Sequence, residues 1–146
     1  MDFLPIAEWS VLALFILLVV PVVFLATRRR WLSRQGGLFD CGVRLSTKTP
    51  GAGWALGVAR YSGDNLEWFR VFSPSLRPRL IFPRSITHAG DQREPDAIEA
   101  VMLSDDQRIV SLDLADGQSW ELSMSSASLT GLLSWLESAP PGARYR

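Results

Sequence analysis

The sequence predicts one N-terminal transmembrane α-helix plus a mainly-β domain, an antiparallel barrel or sandwich of about seven strands closed by a C-terminal α-helix. Three observations predict it. Residues Trp9–Thr27 carry no charged side chain. From Phe39 to Met124, short apolar runs separated by turn residues recur, several with period two. After Ser125 the period changes: Leu129, Leu132, Leu133 and Leu136 stand at i, i+3, i+4 and i+7.

The span comes first. Its 19 residues, WSVLALFILLVVPVVFLAT, make a helix roughly 28 Å long, close to the ~30 Å hydrocarbon core of a bilayer. All but Ala13 and Pro21 between Val11 and Leu25 are Leu, Ile, Val or Phe, and no polar stripe marks a soluble core helix. Pro21 removes one helical hydrogen bond, which spans tolerate. A cleaved signal peptide needs a basic start, a shorter apolar core and small residues before the cut. Here the start is acidic, with Asp2 and Glu8, and arginines follow the core. Arg28, Arg29, Arg30 and Arg34 place that end in the cytoplasm by the positive-inside tendency. Residues 1–8 are then extracytoplasmic, 9–27 transmembrane, 28–37 a basic juxtamembrane connector, 38–139 a cytoplasmic β-domain and 140–146 a tail. Trp9 and Trp31 suit the two interfaces.

A zero net charge hides a polarity. Residues 28–84 hold 11 basic side chains against 3 acidic, net +8, and residues 85–146 hold 4 against 10, net −6. The balance and the lack of an aromatic-basic motif argue against a nucleic-acid partner. Cys41 is the one cysteine, so no internal disulfide forms, in keeping with a reducing compartment.

The strands follow in order. Phe39–Leu45 is the first, and Lys48-Thr49-Pro50-Gly51 turns the chain. Trp54–Tyr61 and Leu66–Phe72 form a hairpin about Ser62–Asn65, with Leu66, Trp68, Arg70 and Phe72 on one face. Arg79–Phe82 and Ser85–His88 are two short strands or one bent one, because Pro83 cannot donate to a central ladder. Gly90–Asp96 reads as a polar loop, and Ile98, Ala100 and Met102 as one face of a strand. Val110, Leu112 and Leu114 face inward, as do Trp120, Leu122 and Met124, against Ser111, Asp113, Glu121 and Ser123 outside. That alternation argues an antiparallel sheet with one solvated face. The closing helix covers 126–138, capped by Ser125 or Ser126 and ended by Pro140-Pro141-Gly142. Trp54, Trp68, Trp120 and Trp135 are read as core.

This element order over residues 38–138 resembles a pleckstrin-homology-like barrel, in which a final helix plugs one open corner of two bent sheets. A simple β-sandwich or split barrel fits the same order. The segments RRRWLSRQGGLFDCGVRL (28–45), GWALGVARYSGDNLEWFRVFS (53–73) and LTGLLSWLESAPPG (129–142) also resemble an uncharacterised family of short actinobacterial membrane proteins, a domain of unknown function. That likeness implies a single-pass membrane protein and supplies no activity.

Chemistry is sparse. Cys41 and His88 pair as nucleophile and base only if the fold brings them together. Gly51-Ala52-Gly53 precedes a strand, not a helix, so turn chemistry explains it better than a dinucleotide site. Asp105 with Asp106, and Asp113 with Asp116, sit at turns where aspartate is ordinary. No catalytic residue, metal site or cofactor is assigned. The basic set Arg28, Arg29, Arg30, Arg34, Arg44, Lys48 and Arg60 is the candidate contact for anionic lipid headgroups or a partner. The expectation is a membrane-tethered, non-enzymatic cytoplasmic module whose partners are the lipid bilayer, a membrane protein or anionic lipid. A structural accessory subunit of a membrane complex is the alternative. A small membrane-bound enzyme needs convergent titratable groups, and the sequence offers few.

Overall fold

An unbroken apolar segment has only one way to satisfy its backbone without partners, and it takes that way here. In the computed structural model, which describes residues 3–34, 37–48 and 51–138, with side chains from Ile6 onward, α1 runs Phe3–Ser33. Its segment Ile6–Ser33, 28 residues of mean hydropathy 2.8, is long and apolar enough to cross a membrane. Ser10 Oγ donates to the Ile6 carbonyl at 2.7 Å and Thr27 Oγ1 to that of Val23 at 2.8 Å. The helix thus absorbs its few hydroxyls internally. The chain divides into two units, Met1–Gly36 and Gly37–Arg146.

The second unit is a curled seven-stranded antiparallel sheet, a half-barrel, with a C-terminal helix. Its strands are β1 (Phe39–Arg44), β2 (Trp54–Ser62), β3 (Asn65–Arg70), β4 (Leu80–Pro83), β5 (Thr87–Arg93), β6 (Gln107–Leu114) and β7 (Ser119–Ser125), with a single turn of helix α2 (Glu99–Met102) before β6 and α3 (Ser126–Glu137) at the end. The order across the sheet is β4-β3-β2-β1-β7-β6-β5. Consecutive strands are neighbours except β4 and β5, which take the two edges, and β7 returns to pair with β1, Val43 opposite Leu122.

The inner face carries the core. Val43, Ala59, Leu66, Trp68, Phe82, Val110, Leu112, Leu122 and Met124 are buried together, and Leu129 and Leu132 of α3 close over them. Ser125 starts α3 by accepting from the Ser128 amide at 3.2 Å. The Trp68 indole donates to the Cys41 carbonyl at 2.8 Å, although β2 lies between their two strands. Gly57 makes that reach possible. A Cβ there would lie 2.4 Å from the indole and 2.5 Å from the Phe69 carbonyl oxygen.

Four expectations are corrected. Residues 98–102 form no strand. Asp96 Oδ1 accepts from the amides of Ile98 (2.9 Å) and Glu99 (2.8 Å), winding the chain into α2 and burying Glu99 while Ile98 and Met102 stay exposed. The run from Gly90 is not loop throughout, because β5 continues to Arg93. Phe72 leaves the sheet face: β3 ends at Arg70 and its ring is 85% exposed. The outer face is not simply solvated, since Trp54, Ile109 and Leu103 form a second small cluster there and Ser123 is buried. Trp54 and Trp68 are buried as expected, whereas Trp120 and Trp135 are half-buried against the core. The expected turn at 48–51 and the stop at 140–142 fall wholly or partly outside the described residues.

Gly57→Ala should therefore destabilise the β-domain by about 2–3 kcal/mol, combining overpacking with loss of the buried indole bond. Urea unfolding of the full chain in detergent, followed by tryptophan fluorescence, checks this.

Candidate functional site

Among the described residues, a dense polar constellation lies on the outer face of the sheet, and a bulge creates it. Thr87 and Ala89 pair with Leu114 and Leu112 on the inner face, but the register shifts between Ala89 and Gln92. One inserted residue reverses the alternation. Arg93 therefore sits opposite Ile109 and on the outer face. There it meets Glu99 of α2, which Trp54 of β2 also bonds, and Glu121 of β7, which Arg44 of β1 also bonds.

Glu99 is 1% exposed. Arg93 clamps it with two bonds, Nη1 to Oε2 at 2.6 Å and Nη2 to Oε1 at 2.9 Å. The Trp54 indole adds a third at 3.3 Å and the Asp96 amide a fourth at 3.1 Å. Glu121 bridges the two arginines, accepting from Arg44 Nη1 at 2.7 Å and Arg93 Nη2 at 3.0 Å. The Arg93 bonds hold the Glu99 carboxyl down to about 2, outweighing burial, and Glu99 in turn raises Arg93. Burial alone would raise Glu121, but the bonds from Arg44 and Arg93 lower it. Two arginines and two carboxylates balance. Each carboxylate is ionised and fully engaged, so the cluster fastens α2 to the sheet and holds no group poised to move a proton near neutrality.

Beside it a cleft of about 300 Å³ runs over Gly42, Leu56, Met102, Gln107 and Ser123. Ser123 Oγ donates to Gln107 Oε1 at 3.0 Å. Cys41 borders the cleft, but its thiol is buried and pushed upward by burial and by the adjacent Asp40 charge, so little thiolate is present. His88 lies on β5, three strand spacings across the sheet from Cys41 and offset along it by the span from Arg108 to Asp113, on the order of 20 Å in all, and is exposed. The fold does not bring this pair together. Asp113 accepts from Ser119 Oγ at 2.6 Å and Asp116 from the Gln118 amide at 3.0 Å. Among the described residues no group of three or more His, Cys, Asp or Glu is arranged to hold a metal ion.

The predicted basic set is spread out. Arg28, Arg29 and Arg30 lie near the end of α1 and Arg34 just beyond it. Lys48 is exposed after β1. Arg44 belongs to the cluster above. Arg60 bonds Glu67 at 2.8 Å and lies 5.0 Å over the Phe69 ring. Arg44 pairs with Trp54, six positions along β2 from Arg60, about 20 Å away. The Arg93–Glu99–Glu121–Arg44 cluster was invisible in the sequence. Its only local signal was the run of paired charges on either side of Asp96.

Residues 15–142 match the profile of a family described as "Protein of unknown function (DUF2550)". The chain is similar to the uncharacterised protein Rv1312 of Mycobacterium tuberculosis (strain ATCC 25618 / H37Rv), 34% identical over 124 residues, covering 81% of this chain and 82% of that protein. It is also similar to the uncharacterised protein ML1147 of Mycobacterium leprae (strain TN), 33% identical over the same shares.

The clamp has a pH signature. A carboxylate lowered from its ordinary 4.5 to about 2 stabilises the fold fully above 4.5 and loses that contribution as pH falls toward 2. Glu99→Gln should flatten stability across that window. At neutral pH it should cost roughly 2 kcal/mol, below the ~3–5 of a fully buried pair because of solvent screening; the Arg93 side chain is 38% exposed. Thermal unfolding of both chains from pH 7 to pH 2 reads the two effects.

Proposed function

The chain belongs to the DUF2550 family of unknown function, and we propose that it is a membrane-tethered, non-enzymatic interaction module. In this reading α1 anchors the chain in the cell membrane with its N-terminus outside. The half-barrel works at the cytoplasmic face, contacting a membrane protein or anionic lipid. The observation that carries the reading is the Ile6–Ser33 helix, with none of its most apolar window buried by protein. The basic flank Arg28, Arg29, Arg30 and Arg34 against Asp2 and Glu8 supports the orientation. The non-enzymatic part is supported by the locked state of Glu99 and Glu121 and by the separation of Cys41 from His88. Tethering keeps any membrane neighbour at high effective concentration, so weak contacts suffice. A structural accessory subunit that uses α1 itself as an interface is the alternative.

Gentle detergent extraction of the tagged full chain tests the proposal. The reading predicts an integral membrane protein or anionic phospholipid that stays with the chain in fixed ratio and leaves as salt rises. The accessory-subunit alternative predicts a complex that survives high salt. A chain that elutes alone and free of lipid contradicts both.

A further inference from the structure

The loop joining β3 to β4, residues 71–79, combines features that the outer-face cluster does not share. Phe72 is 85% exposed and Leu76 47% exposed, on a loop where neither packs into the core. Arg77 and Arg79 are exposed beside them, and Arg70 is exposed at the end of β3. No acidic residue occurs between Glu67 and Asp91.

Four of the loop's seven amides are bonded within the protein. The Val71 amide donates to the Leu56 carbonyl at 3.2 Å and that of Arg79 to Trp68 at 2.8 Å. Ser73 Oγ takes the Ser75 amide at 3.3 Å and Ser75 Oγ takes that of Arg77 at 3.1 Å. Pro74 and Pro78 have no amide hydrogen. Each amide bonded or removed in this way lowers the cost of entering a poorly hydrated layer.

Charge selects the layer. Residues 37–84, holding β1 to β4, carry 7 basic side chains against 3 acidic, and residues 85–138, holding β5 to α3, carry 2 against 10. Because the sheet order keeps β4-β3-β2-β1 on one side and β7-β6-β5 on the other, the half-barrel has a basic wing and an acidic wing. An anionic surface attracts the first and repels the second. A bilayer facing this wing meets apolar side chains flanked by arginines, the composition of interfacial anchors.

We propose that the β3–β4 loop is a membrane-insertion loop: Phe72 and Leu76 seat at the headgroup–acyl boundary of an anionic bilayer while Arg77 and Arg79 bind lipid phosphates. This rests on the tethered reading above, because α1 keeps the bilayer close and lets a weak loop contact persist. Each arginine should add about 5-fold to the loop's partitioning onto an anionic surface.

The full chain is tested in nanodiscs of phosphatidylcholine alone and of phosphatidylcholine with phosphatidylglycerol. Pro74→Cys accepts an environment-sensitive fluorophore, since the native Cys41 is only 2% exposed. Hydrogen exchange at the Phe72, Ser73 and Leu76 amides of the unsubstituted chain gives a second readout that needs no variant. The expected result is a blue-shifted emission and at least about tenfold slower exchange in the anionic discs only. Phe72→Ser, and Arg77→Glu with Arg79→Glu, should abolish both. No change in anionic discs, equal change in both lipids, or a change seen only at several chains per disc overturns the proposal. The last result would put a second copy on the loop. Flotation with phosphatidylcholine vesicles separates the two levels. A chain that fails to float sinks the tether and the loop together, and one that floats with an unchanged loop sinks the loop alone.

Discussion

The surface of α1 constrains everything else about this chain. Val11, Leu14, Phe15, Leu17, Leu18, Val20 and Val22 all point outward and each is more than half exposed. An exposed side chain of this kind gives up about 1.5–3 kcal/mol relative to burial. Summed along the helix, that exceeds the whole stability of an ordinary domain, about 5–15 kcal/mol. Such a helix does not persist bare in water. A bilayer is the cover we propose, and the absence of a polar stripe suits lipid on every side.

The β-domain solves a different problem with a modest number of residues. One concave face, closed by α3, holds a continuous core, and five of the six consecutive strand pairs are neighbours in the sheet. Among the described residues of this unit, the outer face carries only the small cluster of Trp54, Leu103 and Ile109. A single helical turn covers part of it, and the Arg93–Glu99 clamp holds that turn down. Buried ion pairs stabilise little against an apolar replacement, but one partner without the other is costly, so such a clamp specifies where α2 sits. The same economy leaves Leu56, Phe72 and Val101 uncovered, and charge divides the wings on which they lie.

Much of this was legible from local pattern. The long apolar helix, the β2–β3 hairpin, the alternation of β6 and β7, and the leucine face of α3 each rest on a pattern within one or two neighbouring elements, and each appears where the residues put it. The failures lie where side-chain contacts, not periodicity, decide the outcome. Ile98, Ala100 and Met102 alternate like a strand, but the Asp96 side chain and the buried Glu99 decide the local winding. Arg93 reaches the outer face only through a bulge that no composition marks. Arg44 and Arg60 read as free basic surface, whereas cross-strand carboxylates Glu121 and Glu67 engage them. Register between strands distant in sequence fixes the Arg44–Glu121 pair, and a single sequence does not carry that register.

The central claim is that α1 crosses the bilayer and leaves the half-barrel on the cytoplasmic side. Protease digestion of sealed membrane vesicles of both orientations, after an alkaline carbonate wash, tests it most directly. The account predicts a chain that resists the wash and whose β-domain is cleaved in inside-out vesicles and protected in right-side-out ones. Release by carbonate, or cleavage of the β-domain from the external face, would contradict it.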